Sequence, residues 1–175
     1  MKDTMGIHGV YTATFKDRFG KVLRKDEFPN TVVTVGKNAL FNSGLVTSAV
    51  TLVGPYMGLI SSVGYSAISA SDTMASHAGW KEADSTNAPA YTIPGTTRAT
   101  VTFGAPSAGA TSITAIVFTF TGNGTVEGAF MLFAASATNV WEATTGTLLS
   151  AGIFSGGSQA VVSTNTLTVS YSISM

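Results

Sequence analysis

His8 and His77 are the only imidazoles in a 175-residue chain that has no cysteine, nine acidic and nine basic residues. That inventory restricts the chemistry open to the protein. Without cysteine there is no thiolate nucleophile, no thiolate metal ligand and no disulfide. His77 follows Ser76 directly, but neighbouring side chains diverge, so this pair does not make a nucleophile and its base; the chain also lacks a G-x-S-x-G turn. No His-x-x-x-His pair, calcium-loop pattern or carboxylate cluster points to a metal. Asp72, Glu82 and Asp84 bracket one polar stretch that could bind calcium, and a solvated loop is the plainer expectation.

The glycine motifs read as turns. Gly122-Asn123-Gly124 lies between two strand patterns, where Asn-Gly calls for a type I′ hairpin. A phosphate-cradling loop would need a helix after it, and TVEGAF follows instead. Asn123-Gly124-Thr125 is formally a glycosylation sequon, read here as the turn alone. Gly156-Gly157-Ser158 reads as a second hairpin connection.

Two constellations remain. Lys16, Arg18, Lys21, Arg24 and Lys25 interleave with Asp17, Asp26 and Glu27 and with Phe15, Phe19 and Phe28. A nucleic-acid patch would be more one-sided, which leaves a solvated hairpin or an arm that grips a partner. Trp80 and Trp141 flank polar stretches, either as packing anchors or as stacking platforms for sugars.

The elements that position these residues follow from periodicity. Residues 10–15 (VYTATF) alternate, with Tyr11, Ala13 and Phe15 on one face. A turn at residues 16–20 and a return strand through Glu27 predict a hairpin. Residues 36–43 predict a short helix, with Gly44 as its cap. A second is expected over residues 72–78 behind Ser71 or Asp72, and a long surface loop over residues 80–94. Residues 56–60 predict a strand. From Arg98 onward, six strand patterns (99–103, 112–120, 124–134, 147–154, 159–162 and 166–173) succeed one another between Gly/Ser/Asn-rich turns. The fold expected is mainly β: an antiparallel β-sandwich, jelly-roll-like, with one or two short helices. Residues 1–30 form an N-terminal arm or hairpin and residues 31–175 the body of a single domain.

Charge is distributed unevenly. Residues 1–37 hold eleven of the eighteen formal charges, and the last 77 residues hold only Glu127 and Glu142. Charged residues make up 10% of the chain, against about 25% in ordinary soluble domains. A surface so poor in charge fits a protein covered by partners, including copies of itself. A homodimer or homotrimer through the C-terminal β body is expected. Net charge is zero, so no direct nucleic-acid or anionic-membrane partner is expected. No apolar run reaches the ~20 residues of a spanning helix, and the start has no apolar leader, so a soluble, unprocessed protein is expected.

The order of segments carries a resemblance. It runs NTVVTVGKNALF (30–41), MGLI (57–60), DTMASHAGWKE (72–82), GAFML (128–132), IFSGGSQAVV (153–162) and TLTVSY (166–171). This resembles small virion structural proteins of tailed bacteriophages. The resemblance implies a non-enzymatic, many-copy protein with no cofactor and no catalytic residues. It further implies a capsid decoration or cement protein on the virion surface, its partner the major capsid protein, with a tail or tail-fibre component or a lectin-like receptor binder as alternatives. On that reading Phe15, Lys16, Arg18, Phe19, Lys21, Arg24, Lys25 and Phe28 meet the partner.

Overall fold

Alternation builds the first strand as the sequence predicts. In β1 (His8–Lys16), Tyr11, Ala13 and Phe15 are buried while Thr12 and Thr14 face outward. In the computed structural model, which describes residues 6–45, 53–93 and 97–175, β1 is joined by a tight turn to β2 (Val22–Pro29). The remaining elements follow in order: β3 (Thr31–Val32), α1 (Thr34–Leu45), β4 (Tyr56–Ser61), β5 (Lys81–Glu82), β6 (Tyr91–Thr92) and β7 (Ala99–Thr100). Then come β8 (Ala110–Ser112), β9 (Ile116–Phe120), β10 (Gly124–Phe133), β11 (Thr147–Ile153), β12 (Gln159–Val161) and β13 (Thr166–Ser174).

These strands form two antiparallel sheets packed face to face, a β-sandwich with one helix among the described residues. The first sheet has the order β2-β1-β13-β9-β6, with β8 also on β13. The second has the order β3-β11-β10-β4-β5, with β12 on β10 and β7 on β4. Closure joins the two chain ends: β1 pairs with β13 along nine residues, from His8 opposite Ser174 to Lys16 opposite Thr166. Between the sheets, Tyr11, Phe15, Phe28, Phe118, Phe120, Leu167 and Val169 from the first meet Met57, Leu59, Ala129, Met131 and Leu149 from the second. Phe28 and Phe154 pack edge to face at 5.0 Å, and Tyr11 stacks on Phe28 at 5.3 Å. Such pairs add about 0.5–1.5 kcal/mol each beyond the area they bury.

α1 lies outside the second sheet, against β11. Gly36 is the reason it fits. A Cβ at this position would sit 2.6 Å from the Leu149 carbonyl oxygen and 2.8 Å from its Cα. The glycine that weakens the helix locally is therefore the point of closest approach to the sheet.

Several expectations are corrected. Residues 72–78 are not helical: they form turns with a short bridge between Thr73 and Ser76. The Asp72 carboxylate that reads as a helix cap accepts hydrogen bonds from the Ser69 amide and the Trp80 indole instead, both at 2.9 Å. Residues 80–93 are not a solvated surface loop. They supply β5 and β6, and Glu82, Ala83, Asp84, Asn87 and Tyr91 are buried. Residue 94 of that stretch lies outside the described residues.

The Gly122-Asn123-Gly124 turn closes no hairpin, because β9 and β10 belong to different sheets. Likewise β11 and β12 both pair with β10, so Gly156-Gly157-Ser158 is a jog along one strand line, not a hairpin connection. The pattern at residues 112–120 is split into β8 and β9. The expected arm is, over residues 8–29, a sheet hairpin bonded to β13, while its residues 1–5 lie outside the described residues.

Candidate functional site

The β1–β2 turn is built around Asp17. Its Oδ1 accepts hydrogen bonds from the backbone amides of Phe19 (2.8 Å) and Lys21 (2.9 Å), while the Gly20 amide donates to the Asp17 carbonyl. Gly20 has φ +81°, which a side chain would resist. This closed turn holds Phe19 out into solvent, 79% exposed, with the Arg18 guanidinium over its ring at 4.6 Å. Val22 and Leu23 behind it are also exposed. The turn thus presents an exposed aromatic ring with an arginine stacked on it.

The eight residues expected to meet a partner divide into three groups. Arg18, Phe19 and Lys21 stand together at the turn, exposed, with Lys16 half-buried at its base. Lys25 is exposed but lies along β2, opposite Thr14 on the outer face of the sheet. Phe15, Arg24 and Phe28 are corrected. Phe15 and Phe28 fill the core between the sheets and have no surface to offer. Arg24 faces inward on β2, where it pairs with Asp26, donates to the Gly157 carbonyl at 2.8 Å and lies over the Phe154 ring at 5.5 Å. It ties the hairpin to the turn after β11.

A cleft of about 450 Å³ opens between residues 74–78 and 142–144. His77 stacks on Trp80 at 3.9 Å, and its Nδ1 lies 3.0 Å from the Trp80 carbonyl oxygen. A carbonyl only accepts, so Nδ1 carries a proton. Below them, buried Arg98 donates from Nε and Nη2 to the two carboxylate oxygens of Glu82, at 2.8 and 2.6 Å. The same guanidinium donates to the carbonyls of Thr138 and Ala143, both at 3.1 Å.

Glu82 Oε2 also accepts from the Glu142 amide at 2.8 Å, and the Asn87 side-chain amide donates to Glu142 Oε1 at 3.0 Å. Burial, and then the neighbouring Asp84 and Glu82 charges, raise the Glu142 carboxyl above its ordinary value. Burial and then Glu82 push the Tyr91 hydroxyl up as well. These ionic groups pin the loop between β10 and β11 to β5 and β7. Their donors and acceptors face one another, so the arrangement staples that loop to the sheet.

Asp72, Glu82 and Asp84 do not converge on a cation. Asp72 serves Trp80, Glu82 serves Arg98, and Asp84 Oδ1 accepts from the amides of Thr86 and Asn87. Among the described residues no group of three His, Cys, Asp or Glu is placed to hold a metal. Trp80 is 1% exposed and packs on Phe130, and Trp141 packs edge-on against Tyr91, so both act as anchors.

Sequence reasoning missed one surface. An apolar groove of about 480 Å³ runs between Leu40, Phe41 and Leu45 of α1 and Ile7, Ile173 and Met175, where the start of β1 meets the end of β13. Part of its signal was available, since Leu40 and Phe41 are apolar positions of the expected helix that no expected element covers; Leu45 lies beyond Gly44, which is inside α1 and does not cap it. Among the described residues no helix is long and apolar enough to cross a membrane.

No family model, curated protein or solved structure matches the chain.

Proposed function

We propose that the protein is a non-enzymatic structural component of a phage virion, a capsid decoration or cement protein that binds the outer surface of the major capsid protein lattice and stabilises the head. The observation that carries this reading is the β1–β2 turn, where Asp17 holds Phe19 and Arg18 away from the body. A phenylalanine held in water costs free energy that is regained only when a partner covers it, roughly 1.5–3 kcal/mol if burial is complete. Arg18, Lys21 and Lys16 around it favour an acidic partner and speed the encounter. The segment order described above and the charge-poor body support the same reading.

Repetition supplies the rest. A weak contact made at every lattice position holds a shell together, because separating two capsid subunits must break many contacts at once. The hairpin is suited to this because β1 is bonded to β13 along its whole length. Load applied at Phe19 passes into the centre of the first sheet and not into a loose arm.

The test is binding to capsid shells stripped of this protein. The wild type saturates the shell, and its affinity falls as salt is raised. Phe19→Ala and, separately, Arg18→Gln with Lys21→Gln leave the fold intact and lower occupancy at least tenfold. Unchanged occupancy by both variants overturns the assignment of this turn as the contact.

A further inference from the structure

The outer face of the first sheet has a composition that neither the core nor the turn explains. Strand register places Thr12 between Ser170 and Glu27, and Thr14 between Thr168 and Lys25. Residues directly opposed across a ladder share a face. Their alternates Tyr11, Ala13, Val169 and Tyr171 point into the core, so these hydroxyls all point outward. Val117 and Thr119 of β9 extend the same surface beside Thr168 and Thr166. The face is a field of hydroxyls and methyls, and its charges stand at the margin: Lys16 at one end, Lys25 and Glu27 on the edge strand β2.

We propose that this face is where two copies of the chain pack on each other, sheet on sheet, about a two-fold axis that runs across the strands and lays β2 of one copy antiparallel over β2 of the other. The charges select this arrangement. An axis at the level of Ala13 and Val169 sets Glu27 of each copy over Lys25 of the other, twice by symmetry. The same operation sets Thr12 over Thr14 and Ser170 over Thr168. Hydroxyls and methyls meet their own kind, and no like charges are opposed, as a self-complementary interface requires.

The area suffices. The nine residues of β1 and of β13, the eight of β2 and the five of β9, at about 3.3 Å along and about 4.8 Å across the strands, give each copy about 490 Å². The total of about 1,000 Å² reaches the roughly 1,000 Å² that a specific interface needs. Depletion of charge at the centre with ion pairs at the rim is the ordinary anatomy of such an interface. The dimer does not rest on the capsid reading. If both hold, reversing the strands places the two Phe19 turns at opposite ends of the dimer, where they could engage neighbouring subunits.

Sedimentation of the purified protein, with no capsid present, tests this. The wild type is expected at twice the 17.9 kDa protomer mass at tens of micromolar. Lys25→Glu or Glu27→Lys alone weakens the dimer about tenfold, and the double exchange restores it. Thr168→Arg, outside the core and checked for folding by circular dichroism, gives monomer. A monomeric wild type overturns the proposal. So does a dimer indifferent to Thr168→Arg and to the charge exchange, because it would use another face.

Discussion

Arg98 and Glu82 face each other through two parallel hydrogen bonds, 2.8 and 2.6 Å long, with both side chains out of contact with solvent. The remaining guanidinium hydrogens reach two carbonyls of the β10–β11 loop, so one buried residue ties β5, β7 and that loop together. Removing one partner leaves an uncompensated buried charge. Arg98→Met is therefore expected to cost about 3–5 kcal/mol in chemical denaturation. Glu82→Gln combined with Arg98→Met should lose less than the sum of the single losses, as coupled sites do.

The two phenylalanines at either end of the hairpin should behave oppositely. Phe28→Ala empties a site between Tyr11 and Phe154 and should cost about 3–5 kcal/mol. Phe19→Ala removes a ring already in water and should change stability by no more than about 0.5 kcal/mol. Thermal unfolding of both variants checks the contrast.

Gly36→Ala sets helix propensity against packing. Propensity alone would gain about 1 kcal/mol. The new methyl meets the backbone of Leu149, which cannot rotate away, and overpacking of this kind costs about 1–3 kcal/mol. A net loss of stability is expected in urea unfolding, and a net gain would show that α1 does not pack this closely.

Burial raises the carboxyls of both Glu127 and Glu142 above their ordinary 4.5, Glu142 further through Asp84 and Glu82. The folded state thus holds these protons more tightly than the unfolded state. Their contribution to stability is fully present below pH 4.5 and is lost as pH rises through the folded values. Glu142→Gln should flatten the change in melting temperature between pH 4 and pH 8. An unaltered pH profile would show that Glu142 does not share the Asp84 and Glu82 environment.

The sandwich was legible because its strands alternate. Tyr11, Ala13 and Phe15 declare their face by parity alone, and the strand patterns after Arg98 fall close to the observed strands. The same parity marks Phe15 as core, while Phe19 lies in the turn where no parity applies. The stretch from Trp80 onward was not legible. Its Asp, Asn and Pro content reads as a loop, and Glu82 becomes a buried residue only because Arg98, sixteen positions later, folds onto it. Asp72 misled for a related reason: a carboxylate that caps a helix and one that receives an indole N–H look alike until Trp80 is placed. The turns at Asn123 and Gly157 were recognised as turns, but local spacing does not say which sheet the next strand joins.

The central claim, that the protein is a many-copy component of the capsid surface, is tested most directly by its copy number in purified virions, measured by quantitative mass spectrometry against the major capsid protein. Decoration predicts hundreds of copies per particle, in a fixed small-integer ratio to capsid subunits. A few dozen copies or fewer, or none in the particle, would contradict it.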